Sequence, residues 1–473
     1  MWFPRCSLGG NDLQDRDGPS GPRCSIREPM GESGGRSSVR ISQVEADASQ
    51  SGVPHPKKVL FVFGSLERAG AQLRTLEVCR ELRRGQSIDF DFCCLDLGPS
   101  GNELREDVQR LGGATHCVSI RSPRFVVEFS RLLRRGRYDI VHSEPQFLSG
   151  IVVWLAALQR VPVRIVAIHN SIGEAGQTAS NPIVRSVLSS RVFMWAMRSL
   201  MSRYASSIVA VSRSALDSVL PSRWQSACDC KVIYNGTDIA AFRQPEDLLG
   251  VREEFGWPAD SQIVVNVGRL SAQKNQRVIL EAIRLVHEED STVRLLLVGG
   301  GKLDREIGDL IDSLKLRHVC AVTNNRADVP RLLLASNVFF FPSLWEGLPG
   351  APIEALAAGL PIVASDIPPI REIAPYFPGS ILIASPDDVG KHVEHVRLAL
   401  QMPKDRAGAQ KRFAETPFPL RKAVDAYRSL YGMDGFDEPA EYTVRTRMRS
   451  RSVPPRRLDV PPTMRRRPHR RRP

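Results

Sequence analysis

Between Asn337 and Pro361 the chain passes from a short apolar run through a proline- and glycine-rich turn into a helix, and that succession leaves few folds open. Asn337 to Phe341 suits a strand buried on both faces, as in parallel sheets. Ala351 to Ala358 reads as a helix, with Pro352 in its first turn and Gly359 and Pro361 as its stop. A strand, a tight loop and a helix start belong to a wound α/β sheet, where ligands bind outside the carboxyl ends of the strands. Glu346 falls in the loop and Glu354 in the opening turns of the helix. Free amides at a helix start favour anionic groups. Two carboxylates beside them suit a polyhydroxylated ligand that also carries phosphate. The spacing fits equally well an acidic residue favouring the helix dipole plus one solvated glutamate.

The same stretch, from Glu346-Gly347-Leu348-Pro349-Gly350 through Pro352, Glu354, Gly359 and Pro361 to Asp366 and Arg371-Glu372-Ile373, resembles the Glu-x7-Glu signature of the family-4 retaining glycosyltransferases. That resemblance, which extends from Lys57 to about Tyr431, implies a GT-B fold: α/β, with two Rossmann-like doubly wound parallel-sheet domains facing a central cleft. The chain divides accordingly into an N-terminal extension (1–56), an acceptor domain (57–243), a nucleotide-sugar domain (244–415), a helix returning to the first domain (416–433) and an Arg/Pro-rich tail (434–473). Both extensions are expected to be disordered.

Other segments bear on the same reading. Gln262 to Val267 is a strand run, followed by Gly268-Arg269-Leu270-Ser271-Ala272-Gln273-Lys274-Asn275 and a helical stretch from Gln276. Arg269 and Lys274 bracket the mouth of that helix, a fork and a mobile point charge for phosphate oxygens; on spacing alone they are as readily two surface cations. The octapeptide is similar to the family's diphosphate-binding loop. Gly70 lies where the strand Lys58–Phe63 turns into a helix, within Ala69-Gly70-Ala71-Gln72, where the family carries Gly-Gly-Ala-Glu. His169 ends the strand run Val163–Ile168 at its carboxyl edge; a lone histidine is often structural, and the family's histidine lies near the donor sugar. The resemblance implies His169 and Glu346 as catalytic, and Gly70, Arg269, Lys274, Gly347, Leu348, Gly350 and Glu354 as binding a nucleotide-diphosphate sugar. It implies no metal and no cofactor. Front-face transfer with retention, to a glycan or lipid-linked acceptor of a cell-surface polysaccharide or glycolipid, completes the expectation. Another GT-B activity, an epimerase or a phosphorylase, is the alternative enzyme.

Composition narrows the partners. Of the net charge of +13, the segment 443–473 carries twelve arginines against Asp459, so the other residues carry only +2. No aromatic residue past Tyr442 interleaves with those arginines, so nucleic acid is not expected as a partner. A scaffold with a nucleic-acid-binding tail is the non-enzymatic alternative. Nine scattered cysteines, Cys228 and Cys230 included, form no paired CxxC motifs. They read as reduced thiols in the cytosol. The most apolar run, Gly150 to Leu158, is about half the length of a bilayer span. Arg121–Arg137 and Arg185–Tyr204 are basic amphipathic stretches, either crossover helices or contacts with the inner membrane face. Asp89 and Asp91 read as the solvated face of a strand, not as a metal site. Asn324 stands where the family tends to carry glycine, a position asparagine holds by tolerating positive φ.

Overall fold

The computed structural model describes residues 56–67, 70–84, 88–95, 103–170 and 190–433. The arginine tail, most of the N-terminal extension and Arg185 to Ser189 of the second amphipathic stretch lie outside them, as do Arg68 and Ala69 of the first turn. No described helix is long and apolar enough to cross a membrane.

Two parallel sheets carry the chain. The first contains β1 (Lys57–Phe63), β2 (Ile88–Cys94), β3 (Thr115–Cys117), β4 (Ile140–Ser143), β5 (Val163–Ile168), β6 (Ser207–Ala210) and β7 (Cys230–Val232), in the order β3-β2-β1-β4-β5-β6-β7. The second contains β8 (Gln262–Val267), β9 (Val293–Val298), β10 (Cys320–Thr323), β11 (Val338–Phe341), β12 (Ile362–Ser365) and β13 (Ile381–Ala384), in the order β10-β9-β8-β11-β12-β13. Parallel pairing needs crossovers, and helices supply them on both faces. The strands are therefore apolar on both sides, as in Val338-Phe339-Phe340-Phe341, all fully buried. This is the doubly wound pair of sheets that a GT-B fold requires. In each sheet the strand order reverses once, between β1 and β4 and between β8 and β11. Those two reversals are where crevices open at the carboxyl edge.

The two halves share a core. One buried cluster runs from Val166 and Ile168 on β5 through Met197, Leu216 and Leu348 to Val265 on β8 and Phe339 on β11. The chain crosses back at its end. Thr237 N donates to Phe418 O at 2.9 Å and Leu420 N to Thr237 O at 3.0 Å. The helix Leu420–Leu430 then buries Ala423 and Val424 in the core under β1. Just past it, Tyr431 is fully buried, its hydroxyl 2.8 Å from His142 Nδ1.

Asp91 does not belong to a solvated face. Asp89 is exposed, whereas Asp91 is buried: its carboxylate accepts from Ala114 N at 2.8 Å and Tyr138 OH at 2.8 Å and lies 3.2 Å from Lys58 Nζ. Burial opposes the charge, but the bonds from His116, Ala114 and Tyr138 outweigh it and hold the carboxyl well below its usual range. Period two put both aspartates on one face correctly; β3 and Tyr138 cover only one of them. Asn324 is absent from the residues of positive φ, so its turn needs no glycine.

Candidate active site

The loops after β8 and β11 flank the reversal in the second sheet, and they are laced together. Gln273 accepts from Leu344 N at 2.8 Å through its carbonyl and donates to Trp345 O at 2.8 Å through its side chain. Lys274 Nζ donates to Glu346 Oε1 at 2.6 Å, with both side chains largely buried, and lies 5.0 Å from the centre of the Phe341 ring. The residue expected to meet phosphate and the one expected to meet sugar are thus ion-paired. Asn275 turns the chain at φ 52° into the helix Gln276–Glu289. Arg269 stands exposed at the lip, with no ion pair to any described residue. Gly299, after β9, has φ 130°, and a Cβ there would lie 2.3 Å from Gly268 O. Glycine is what lets this loop back the Arg269 turn so closely.

The helix Gly350–Ala357 starts at the same edge without a side-chain cap, so its first amides remain open to a ligand. Glu354 lies a turn inward, and its partner comes from the other half. Arg74, on the helix Gly70–Arg83, donates through Nη2 to Glu354 Oε1 and through Nη1 to Glu77 Oε2 at 2.7 Å. Its guanidinium passes 3.7 Å from where a Gly350 Cβ would stand. Burial pushes the Glu354 carboxyl up, with Arg74 opposing, while Arg74, which burial alone would lower, is held up by Glu354 and Glu77. The two directions disagree about the pair. Because a guanidinium does not give up its proton, we take the ionised pair as the resting state.

Facing these loops, the first sheet contributes His169 after β5 and Glu144 after β4. His169 Nε2 lies 3.1 Å from Glu144 Oε2, with both side chains nearly closed to solvent. Thr75 Oγ1 donates to the other carboxylate oxygen, Oε1, at 3.1 Å. Gly347 packs directly on this edge: a Cβ there would lie 1.9 Å from His169 O, so any other residue would force the loop away. Ser212 Oγ donates to Gly347 O at 2.9 Å. Glu372 fastens the halves further, accepting from Arg213 N at 2.7 Å, Ser214 N at 3.2 Å and Tyr234 OH at 2.9 Å. That carboxylate sits on the amino end of the helix Arg213–Val219, where a helix dipole favours it.

Lys274, Glu346, Gly347, Leu348, Gly350, Glu354 and His169 therefore gather around one cleft. Gly70 opens the helix that carries Arg74, and a Cβ on it would meet nothing within 4 Å, so packing does not demand its glycine. Arg74, Glu144 and Glu372 escaped the sequence reading as site residues. Glu144 carried a usable signal, since it follows a strand at the reversal point. Arg74 carried none: its partner lies 280 positions away. Among the described residues no cluster of three or more His, Cys, Asp or Glu is placed to hold a metal ion.

Two family models match this chain: Glycosyl transferase 4-like domain over residues 69–236, and Glycosyl transferases group 1 over 251–415. It is a GT-B glycosyltransferase. This glycosyltransferase is 28% identical over 330 residues to the capsular polysaccharide biosynthesis glycosyltransferase CapH of Staphylococcus aureus, covering 68% of this chain and 85% of that one. It is 27% identical over 297 residues to the UDP-Gal:alpha-D-GlcNAc-diphosphoundecaprenol alpha-1,3-galactosyltransferase of Escherichia coli, covering 61% of this chain and 74% of that one. Among solved structures, Anabaena Alr3699/HepE in complex with UDP superposes with a TM-score of 0.65 at 18% identity, over 79% of this chain and 99% of that one. That likeness carries the fold.

Proposed function

We propose that this glycosyltransferase moves a sugar, with retention of configuration, from a nucleotide-diphosphate sugar to a glycan or lipid-linked acceptor in cell-surface polysaccharide or glycolipid synthesis. The observation that carries the proposal is the Lys274–Glu346 pair at the mouth of an uncapped helix, with Glu354 one turn in and His169 opposite. In this reading the diphosphate draws Lys274 off Glu346 and meets Arg269 and the open amides of Gly350 and Ala351. These neutralise charge growing on the leaving group, the part a metal plays elsewhere. Glu346, released, accepts from a sugar hydroxyl, and Glu354 accepts from the ribose. The UDP bound by HepE and the UDP-linked sugar named for the Escherichia coli relative support a nucleotide-sugar donor; the capsular role named for CapH supports the acceptor class.

Contact with an anionic membrane surface belongs to the same proposal. Val126 and Val127 on the helix Phe125–Gly136, and Val192 and Trp195 on Arg191–Tyr204, are exposed among arginines.

A thermal-shift screen of the full chain against nucleotides and nucleotide sugars, in buffer containing chelator, tests the donor. One nucleoside diphosphate and its sugar conjugate should raise the melting temperature, and Arg269→Ala should abolish the shift. An unchanged shift in Arg269→Ala, or none with any nucleotide, would sink the assignment.

A further inference from the structure

We propose that Glu144 is a positioning residue for His169: it fixes the imidazole as the Nε2–H tautomer, so that Nδ1 offers a lone pair to a hydroxyl of the donor sugar. The inference rests on the transferase reading above and adds a residue that the sequence did not single out.

Three observations carry it. The first is the 3.1 Å approach of His169 Nε2 to Glu144 Oε2, which settles the nitrogen facing the carboxylate. The second is burial: the Glu144 side chain is 4% exposed and that of His169 12%. A carboxylate so enclosed needs donors, and Thr75 serves only one of its oxygens. The third is that Glu144 Oε2 and both His169 ring nitrogens are buried without an aligned hydrogen bond. The short contact and the missing bond are compatible, because the ring is close enough but turned out of line. A hydrogen bond of this kind tightens as the substrate complex forms.

Chemistry then decides the tautomer. A neutral imidazole has one donor and one acceptor nitrogen. With hydrogen on Nδ1, Nε2 would turn a lone pair towards a carboxylate oxygen, two acceptors in contact. With hydrogen on Nε2, the carboxylate faces a donor at 3.1 Å, and Nδ1 is left as an acceptor lacking a donor among the described residues. A sugar hydroxyl provides one; it would seat the donor and turn the ring into line with Glu144. The chain supports this from below: His142, two residues before Glu144, is kept neutral by burial, its pKa brought down to about 3, so it adds no competing positive charge.

NMR of nitrogen-labelled histidine side chains in the full chain tests the assignment, with His169→Gln identifying the signals. The expected wild-type result is the Nε2–H tautomer at His169. Adding the nucleotide sugar should move the Nδ1 resonance, and adding the nucleoside diphosphate alone should leave it in place. In Glu144→Gln, whose amide can donate, the tautomer should move towards Nδ1–H. Its kcat/KM for the nucleotide sugar should fall by up to about tenfold, no more than loss of the His169 hydrogen bond itself, with unchanged affinity for the free nucleoside diphosphate. An Nδ1–H tautomer in the wild type, or one indifferent to Glu144→Gln, would overturn the proposal. The wild-type tautomer is read without the Glu144 variant, so a Glu144→Gln chain that fails to fold leaves the test decisive. Absence of transfer with any nucleotide sugar would instead overturn the donor reading, while the spectra would still judge the Glu144–His169 pair.

Discussion

At the reversal of the six-stranded sheet, the loops after β8 and β11 set a cation on a carboxylate, Lys274 on Glu346, with Arg269 exposed beside them. At the equivalent reversal of the seven-stranded sheet, β1 and β4 lead instead to a carboxylate held by a threonine and an imidazole, Glu144 with Thr75 and His169. One half of the cleft stores charge that a diphosphate can engage. The other holds directional hydrogen-bonding groups, which suit hydroxyls. The same winding rule thus produces two chemically unlike lips, and the contrast ranks what substitutions on each should do.

The largest effect belongs to the charged lip. In the proposed reaction, removing Lys274 withdraws a cation from the place where leaving-group charge would grow, and in any case it strands the buried Glu346 carboxylate. Lys274→Ala should lower kcat about 10²- to 10³-fold, the usual loss of an electrostatic donor in an enclosed site. Glu346→Gln should act on the same scale. Because the two groups hold each other, the double variant should lose far less than the product of the single losses. Strictly multiplicative losses in kcat/KM would show that the pair is not a functional unit. His169→Gln, on the hydrogen-bonding lip, should cost about tenfold, the worth of about one net hydrogen bond.

Between the lips lies the Arg74–Glu354 bridge. Arg74→Met leaves the Glu354 carboxylate, about four-fifths enclosed, without its cation and should destabilise the chain by about 2 kcal/mol, less than the loss for breaking a fully buried pair. Urea unfolding at several pH values checks this. Burial already pushes the Glu354 carboxyl up, and losing Arg74 should push it further. A carboxyl raised in the folded state favours folding at low pH and loses that contribution as pH rises. The deficit of Arg74→Met relative to wild type should therefore widen from acid towards neutral pH. A pH-independent deficit would mean that the bridge is a surface contact.

How much of this was readable in advance follows from the same division. The buried parallel strands announced themselves as apolar runs, so Gln262–Val267 and the helix Leu420–Leu430 fall where their patterns put them. The residues of the charged lip stood in two local motifs, because each loop is a short run of consecutive residues between one strand and the next helix. The hydrogen-bonding lip was less legible. Glu144, Thr75 and His169 come from three separate segments and meet only because β1, β4 and β5 are neighbours. Asp91 was misread for a related reason: alternation along a strand tells which residues share a face, but not that Tyr138 and the edge strand β3 cover part of it. Arg74 meets Glu354 only through the closeness of two domains, which no local pattern encodes.

The smallest effect separates the lips by pH. His142, on β4 beneath Glu144, is stacked on Phe61 with ring centres 4.7 Å apart and bonded to Tyr431 at 2.8 Å. Burial first, and then the neighbouring His169, lower its pKa from the ordinary value to about 3. The unfolded chain takes up a proton on this histidine below about pH 6.5, while the folded chain refuses it until about pH 3. Stability from this group is therefore complete above that range and drains away as pH falls through it, by at most about 1.4 kcal/mol per unit. His142→Phe keeps the stacking on Phe61 and removes the titration, at a fixed cost of about 1 kcal/mol for the lost Tyr431 bond. Unfolding curves at pH values between 7 and 5 should show wild type ahead at the upper end and its lead shrinking towards the lower. A lead that stays constant would mean that His142 titrates alike in both states, and the hydrogen-bonding lip would then rest on a floor that charges below about pH 6.5 instead of one that stays neutral.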